Sequence, residues 1–226
     1  MNNDPTVSEG WLTRRVMKLT PFERRCMNSP GHARHTHRMA LNLLEHIELP
    51  HKPACLEIGC GQGALARLLV EGFDARVIAT DYDPRQVAVA RERLADMDGN
   101  VELRVVDARA MPFGGAQFDA VFSFGILHHI LRGWRQAVAE TARVLRPGGW
   151  FVFTEVVAVR RVEHLSSRLL PRLDLLGDRA LHTCLADNGL DLEHWAPGGG
   201  EFMSWISPMA YCAGVARLDP SRRETN

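Results

Sequence analysis

The spacing of hydrophobic residues changes along the chain at about Pro53. Before this position, residues 11–50 carry apolar side chains at helical spacing, with interruptions at Pro21 and at Pro30-Gly31. After it, short runs rich in β-branched residues alternate with amphipathic stretches. Such alternation is typical of right-handed βαβ crossovers and a parallel sheet. The pattern therefore predicts a doubly wound α/β domain preceded by a helical cap.

Periodicity and turn residues predict the individual elements. Pro147-Gly148-Gly149 indicates a turn into the strand that starts at Trp150, and Gly189 indicates the end of the last helix. Strands are predicted at residues 55–58, 77–80, 101–106, 118–124 and 150–157, and helices at residues 64–71, 84–96, 134–145 and 179–188.

Three glycines at alternate positions, Gly59, Gly61 and Gly63, join the first predicted strand to the helix that follows it. Glycine permits positive φ angles and lets a ligand approach the backbone without a Cβ in the way. The helix that begins near Gly63 directs its free N–H groups and its dipole at the same place. We therefore expect a cofactor over this turn, with Cys60 offering its backbone N–H.

Glu57, two residues before Gly59, restricts the kind of ligand. The dinucleotide fingerprint G-x-G-x-x-G places a pyrophosphate on the helix N-terminus, and a carboxylate there would repel that anion. S-adenosylmethionine has no phosphate, and it carries a cationic amino group and a sulfonium. Glu57 therefore favours S-adenosylmethionine over a dinucleotide.

Acidic residues also end the next two predicted strands. Asp81 follows Gly63 by eighteen residues, the offset at which nucleotide-binding βαβ units place a carboxylate on ribose hydroxyls. Tyr82 could cover an adenine, and Asp107, followed by Ala108, could accept a hydrogen bond from the adenine amino group. The carboxyl ends of three successive strands would then form one acidic rim.

Five segments in this order resemble the class I S-adenosylmethionine-dependent methyltransferases, in particular the small type 11 group, across residues 53–156. They are Leu56 to Gly63, Asp81, Asp107 to Phe113, Phe118 to His129, and Arg143 to Gly149. The resemblance implies a Rossmann-like, doubly wound, seven-stranded and mostly parallel sheet. It also implies that residues 190–195 and 209–218 form a C-terminal antiparallel hairpin.

The same resemblance implies transfer of a methyl group from S-adenosylmethionine to a small organic acceptor. The residues that it assigns to the cofactor are Glu57, Gly59, Cys60, Gly61, Asp81, Tyr82, Asp107, Ala108 and Phe124. No Asn-Pro-Pro-aromatic segment follows the fourth strand, so methylation of nucleobase amines or of protein glutamine has no support. Apolar and basic stretches in the N-terminal region and at residues 157–178 favour a lipid-like or quinone-like acceptor.

The division of the chain follows from the same reading. We expect a helical cap at residues 1–50, a methyltransferase domain at residues 51–218 and a disordered tail at residues 219–226. The cap and the domain are expected to form one globular unit.

His128, His129 and Glu155 are the candidate catalytic residues. The histidines follow the fourth strand, and an imidazole can take a proton from an acceptor hydroxyl near neutral pH. In similar sequences such a pair often lines the cofactor pocket without proton transfer, so this alternative stays open. Glu155 could face the acceptor or simply solvate a strand end. Methyl transfer needs little covalent help, because holding the acceptor near the methyl group and excluding water supply much of the acceleration.

Composition excludes some classes of function. Lysine plus arginine equals aspartate plus glutamate at 27 each, so no net basic field marks a nucleic-acid partner. The sequence has neither a secretory apolar region nor a run long enough for a membrane span, and we expect a cytosolic protein. The five cysteines are widely spaced without C-x-x-C pairs, which predicts free thiols and no structural zinc. The oligomeric state is not predicted.

Two features of the N-terminal region have alternative interpretations. His32, His35 and His37 could share a helix face and bind a metal, although histidines on a polar face are the commoner outcome. The basic and apolar residues 11–25 could form a lid over the active site or an interfacial membrane helix, and we favour the lid.

Two other classes of function compete with methyl transfer. One is a non-catalytic module that keeps the S-adenosylmethionine pocket as a sensor or scaffold. The other is a nicotinamide-dependent oxidoreductase, against which Glu57 and the alternating glycines both argue.

Overall fold

A computed structural model describes residues 21–97, 99–130, 133–158, 176–197 and 209–222. The helices are α1 (Pro21–Met27), α2 (Pro30–Leu44), α3 (Ala64–Phe73), α4 (Pro84–Arg93), α5 (Trp134–Val144) and α6 (Asp178–Asp187). The strands are β1 (Ala54–Ile58), β2 (Arg76–Asp81), β3 (Val101–Val105), β4 (Phe118–Phe124), β5 (Leu145–Ala158), β6 (Leu190–Pro197) and β7 (Met209–Leu218).

The seven strands form one sheet in the order β3-β2-β1-β4-β5-β7-β6. Strands β1 to β5 pair in parallel, and β7 is antiparallel to both β5 and β6. The predicted doubly wound sheet with a C-terminal antiparallel hairpin is therefore confirmed. Strand β1 lies between β2 and β4, so the chain order reverses there, and ligands of open parallel sheets bind at the carboxyl ends beside such a reversal.

Apolar side chains cover both faces of the sheet, because neighbours along a strand point to opposite sides. Phe151 and Phe153 belong to the core cluster that includes Trp134 of α5. Trp150 and Val152 belong to a second cluster, which contains Ala40, Leu43 and Leu44 of α2. Helix α2 thus packs against one face of the sheet, and the division into a cap and a domain stays a prediction.

The helix boundaries refine the sequence prediction. Pro30 opens α2 instead of interrupting it, because proline needs no hydrogen-bond acceptor in the first turn, and the Ser29 side chain accepts from the His32 N–H at 3.2 Å. Helix α4 ends at Arg93, and Ala95–Met97 form a separate 3₁₀ turn within the segment predicted as one helix.

Strand β5 begins five residues earlier than predicted. Leu145 already pairs with Phe118 of β4, and Trp150 pairs with Ala120, so the residues between them form an irregularity within one strand. Gly148 has φ +77° there, which keeps the turn-like character that the sequence indicated.

At the other end of β5, Ala158 contacts Leu176 and Gly177. The Ala158 N–H donates to the Leu176 carbonyl at 2.8 Å, and Ala158 also forms a parallel bridge with Gly177. Of the basic stretch predicted at residues 157–178, residues 159–175 lie outside the described part of the chain, as do residues 198–208.

The predicted tail begins with an ordered turn. The Asp219 N–H donates to the Gly189 carbonyl at 2.9 Å, and the Ser221 N–H donates to the Asp219 carboxylate at 2.8 Å. Residues 223–226 lie outside the described part. Among the helices described, none has the length and apolarity to cross a bilayer.

Candidate active site

The glycine turn between β1 and α3 has the backbone that its sequence predicts. Gly59 has φ +73° and Gly63 has φ +81°, both in the left-handed region that favours glycine. A Cβ on Gly59 would lie 2.2 Å from Cδ1 of Ile126, in the loop after β4. The turn and this loop therefore approach each other at a distance that only glycine allows.

Two backbone N–H groups of the turn already have partners. The Cys60 N–H donates to the Thr80 carbonyl at 2.7 Å, and the Gly61 N–H donates to the Asp81 carboxylate at 3.1 Å. The expectation that Cys60 offers its N–H to a cofactor is therefore wrong, because the neighbouring strand uses it. Burial raises the pKa of the Cys60 thiol well above its ordinary value, so the thiol is protonated.

Glu57 is a buried carboxyl group beside this turn. Only 5% of the residue is exposed, and its Oε2 has no hydrogen-bond partner among the described residues. Burial raises the pKa of Glu57 to about 8; a backbone hydrogen bond from Ala66 opposes the rise, and the nearby Asp81 carboxylate adds to it. A buried oxygen without a donor favours a ligand that brings one, and a cationic donor would also lower this pKa.

Asp81 lies at the carboxyl end of β2, as predicted. Its carboxylate accepts from the Gly61 N–H and from the Asp83 N–H, the latter at 2.8 Å. Burial raises the pKa of Asp81 above its usual range, although these backbone hydrogen bonds oppose the rise. The two N–H donors fix the orientation of the carboxylate, and each oxygen keeps a lone pair for a ligand hydroxyl.

Asp107 has a partner that the sequence reasoning missed. Its carboxylate accepts from the Arg109 guanidinium at 2.7 Å and from the Arg109 backbone N–H at 3.0 Å. The Arg109 side chain lies close to Gly133, because a Cβ added to this glycine would be 2.8 Å from Arg109 Cδ. The position of Arg109 two residues after Asp107 could have predicted this ion pair from the sequence. Asp107 is thus oriented as one half of an ion pair.

Asp81 and Asp107 line a cleft at the carboxyl ends of β1, β2 and β4 and beyond β3, with about 770 Å³ of unfilled space including the part open to solvent. The residues that line it are Met27, Ile58, Gly59, Asp81, Tyr82, Asp83, Gln86, Val106, Asp107, Ala108, Gly125, Ile126, His129 and Ile130. The cleft therefore brings together five of the nine residues predicted for the cofactor, Gly59, Asp81, Tyr82, Asp107 and Ala108, whereas Glu57, Cys60, Gly61 and Phe124 do not line it.

The structure places Phe124 differently from the prediction. Its side chain packs against the core cluster that contains Phe122, because the two residues share a face of β4. Gly125 and Ile126 line the cleft in its place. The apolar wall formed by Ile58, Val106 and Ile130 was also missed, because hydrophobic periodicity assigns such residues to the core.

Glu155 is fully buried within β5, so it does not solvate a strand end. One oxygen accepts from the N–H groups of Ile126 and Leu127, at 2.9 and 2.8 Å, and the other accepts from the His128 N–H at 3.3 Å. That second oxygen also lies 2.9 Å from His128 Nδ1. Glu155 therefore holds both the loop after β4 and the imidazole of His128.

The two histidines of this loop stand side by side. Their ring centroids are 4.1 Å apart, and His129 lines the cleft. If His128 donates from Nδ1 to Glu155, its Nε2 keeps a lone pair that can accept a proton. The geometry brings the three predicted catalytic residues into one cluster beside the cleft.

The histidines of α2 lie elsewhere. The His35 ring contacts the edge of Tyr211 on β7, with centroids 6.3 Å apart. Burial lowers the pKa of His32, and the neighbouring His35 lowers it further. Within the described residues, no three His, Cys, Asp or Glu side chains are grouped in a way that could hold a metal ion. All five cysteines are free thiols, as predicted.

Comparison with protein families identifies the core of this structure. Residues 56–153, from β1 into β5, match the family described as "Methyltransferase domain". The match covers somewhat less than half of the chain. The match includes the glycine turn, the acids at the ends of β2 and β3, and the loop that carries the histidines, and it confirms the resemblance to class I methyltransferases.

Curated relatives of the methyltransferase domain agree over the same region. The chain is 34% identical over 116 residues to 27-O-demethylrifamycin SV methyltransferase of Amycolatopsis mediterranei, covering 50% of this chain and 42% of that protein. It is 36% identical over 105 residues to O-methyltransferase cnsE of Penicillium expansum, covering 46% of this chain and 38% of that protein. The chain thus spans less than half the length of these two relatives.

Solved structures share the fold over a longer span. Geranyl diphosphate C-methyltransferase from Streptomyces coelicolor, in complex with Mg²⁺, geranyl diphosphate and S-adenosyl-L-homocysteine, superposes with a TM-score of 0.69 at 16% identity. The superposition covers 90% of this chain and 86% of the other. The shared fold extends beyond the matched family region at both ends.

Proposed function

We propose that this chain binds S-adenosylmethionine in the cleft and transfers its methyl group to a small organic acceptor. The observation that carries the proposal is the buried carboxyl group of Glu57, whose Oε2 has no partner among the described residues. A cationic amino group beside the glycine turn would supply the missing donor and favour the ionised carboxylate, whereas the pyrophosphate oxygens of a dinucleotide supply no donor.

The remaining residues of the cleft fit the nucleoside part of this cofactor. Asp81, held by two backbone N–H groups, can accept from ribose hydroxyls. Tyr82 can cover the adenine, and the Asp107 carboxylate beside Ala108 can accept from the adenine amino group while it keeps its pairing with Arg109. Ile58, Val106 and Ile130 provide an apolar wall for a flat ring.

When bound, S-adenosylmethionine supplies a methyl group on a sulfonium, which is already activated for in-line displacement. The protein then has to bind the acceptor, orient it and exclude water. The two relatives described above are named for O-methylation, and the rifamycin enzyme acts on a small molecule. A small acceptor is the substrate class that they support.

We assign His128 as the base for an acceptor that loses a proton on methylation, such as a hydroxyl group. Glu155 orients the imidazole through the 2.9 Å contact at Nδ1, which leaves Nε2 to take the proton. His128→Ala is expected to lower kcat by about 10²- to 10⁴-fold with little change in the affinity for S-adenosylhomocysteine. Equal kcat values in both proteins across a pH series would contradict the assignment.

The test of the proposed function begins with binding. Calorimetric titration is expected to show binding of S-adenosylhomocysteine and no competition from NADH. Incubation with methyl-labelled S-adenosylmethionine and fractionated metabolites should then transfer label to one small-molecule fraction. Binding of NADH in place of S-adenosylhomocysteine would favour the oxidoreductase. Binding of S-adenosylhomocysteine without label transfer to any fraction would favour the non-catalytic sensor.

We also propose a cytosolic location with peripheral contact to membranes through α1. Phe22 is 75% exposed, and Arg25 on the same helix is exposed. Co-sedimentation with anionic vesicles, and not with zwitterionic ones, is expected, and Phe22→Ser should weaken it. Equal sedimentation of both proteins would show that α1 is not the contact.

A further inference from the structure

The peptide between α1 and α2 is fastened to the glycine turn by one side chain. Gln62 Nε2 donates to the Met27 carbonyl at 2.9 Å and to the Ser29 carbonyl at 3.3 Å. Only 5% of Gln62 is exposed. These bonds join residues more than thirty positions apart in the chain and cross from the cap to the domain core.

Helix α4 completes this network. The Arg93 guanidinium donates to Gln62 Oε1 and, at 3.1 Å, to the Asn28 carbonyl. Asn28 Nδ2 in turn donates to Gln86 Oε1 at 3.0 Å, and only 3% of Gln86 is exposed. Both the NH2 group and the oxygen of the Gln62 side-chain amide are thus used, and the peptide between α1 and α2 is held by Gln62 and by helix α4.

The network lies against the cofactor cleft. Met27 and Gln86 both line the cleft, and Gln62 stands between Gly61 and Gly63 of the turn. The Gly61 N–H is itself bound to Asp81. A ligand in the cleft would therefore contact Met27, whose carbonyl Gln62 holds, and Gly59, three positions before Gln62 in the turn.

We propose that Gln62 is a positioning residue that holds Met27 over the cleft and couples docking of the cap linker to cofactor occupancy. The seven residues of α1 are too few for a helix that is stable by itself, so its place depends on tertiary contacts. A buried glutamine side chain that lost the two carbonyls would keep unsatisfied donors. The coupling rests on the proposed function, because it needs S-adenosylmethionine or its product in the cleft.

Coupling makes a reciprocal prediction. If cofactor binding favours the docked linker, a docked linker must raise the affinity for the cofactor by the same factor. Loss of the hydrogen bonds from Gln62 to Met27 and Ser29 should therefore speed dissociation of the ligand. It should also reduce the degree to which the ligand slows amide hydrogen exchange in the peptide between α1 and α2.

Gln62→Glu tests this with a minimal change. The carboxylate keeps an acceptor for Arg93 but has no donor for the Met27 and Ser29 carbonyls. Gln117→Glu, at an exposed position next to the start of β4, is the matched control. The measurements are amide hydrogen exchange of residues 22–31 and the rate of S-adenosylhomocysteine dissociation. If circular dichroism shows that Gln62→Glu is unfolded, Gln62→Met is used in its place, because this substitution adds no charge.

S-adenosylhomocysteine is expected to slow exchange of residues 22–31 in the unchanged protein and in Gln117→Glu. In Gln62→Glu, exchange without ligand should be faster, and dissociation should be roughly tenfold faster. Bound ligand with neither quantity altered in Gln62→Glu would overturn the coupling alone. Absence of any binding to the unchanged protein would overturn the proposed function together with the coupling.

Discussion

At the scale of single residues, Glu57 is the group whose protonation matters most. Burial raises its pKa from an ordinary value of 4.5 to about 8, so between these pH values the folded protein retains a proton that the unfolded chain has released. The free energy of unfolding must then fall as pH rises through this window. A bound cation would reverse the effect by favouring the ionised carboxylate.

Glu57→Gln removes this titration. We expect urea unfolding of the ligand-free variant to lose less stability between about pH 5 and pH 8 than the unchanged protein loses. Glu45→Gln makes the same chemical change at an exposed position and should leave the pH dependence as it is. Parallel pH profiles for Glu57→Gln and the unchanged protein would show that Glu57 is not the responsible group.

Asp81 tests the nucleoside half of the cleft. Asp81→Ala should weaken S-adenosylhomocysteine binding by about 1–3 kcal/mol, because a buried hydrogen bond to the ribose is lost. Asp74→Ala serves as the control, since that carboxylate lies on the surface and pairs with Lys52. An unchanged affinity of Asp81→Ala in calorimetric titration would refute the ribose assignment.

At the scale of elements, the tight approach of the β1–α3 turn to the loop after β4 can be tested with alanine. Gly59→Ala should destabilise the fold by about 1–3 kcal/mol, because φ is positive there and the new Cβ meets Ile126. Gly72→Ala, within α3 and facing open space, should stabilise it by about 0.5–1 kcal/mol. Denaturant unfolding measures both, and equal effects of the two changes would contradict the turn geometry.

The elements themselves were largely predictable, because each depends on local periodicity. The parallel arrangement of β1 to β5, the start of α3 after Gly63 and the acid at the end of β2 all agree with the sequence prediction. The early start of β5 was not predictable, since Leu145 becomes a strand residue only through pairing with Phe118.

The site was predictable to a smaller extent than the fold. Positions that follow a strand end could be assigned, as Asp81 and Asp107 show. Hydrogen-bond partners that are distant in the chain could not be assigned, because the sequence does not specify which side chains meet. The N–H of Cys60 is used by Thr80, and Glu155 reaches the loop at His128, through contacts that only the folded sheet creates.

At the scale of the whole molecule, a ligand that binds only the folded chain must stabilise it. S-adenosylhomocysteine at about 100 times its Kd should add about 2.7 kcal/mol to the free energy of unfolding. Thermal unfolding should therefore shift upward with S-adenosylhomocysteine and stay constant with NADH at the same concentration. A shift with NADH alone would instead indicate a dinucleotide site.

The bridge between Ala158, at the end of β5, and Gly177 affects how the segment between these two residues can vary. Ala158 and Gly177 are joined by a parallel bridge, and the Leu176 carbonyl accepts a hydrogen bond from the Ala158 N–H. Because these two residues are joined, the interval between them can be lengthened, shortened or exchanged without changing the strand register on either side.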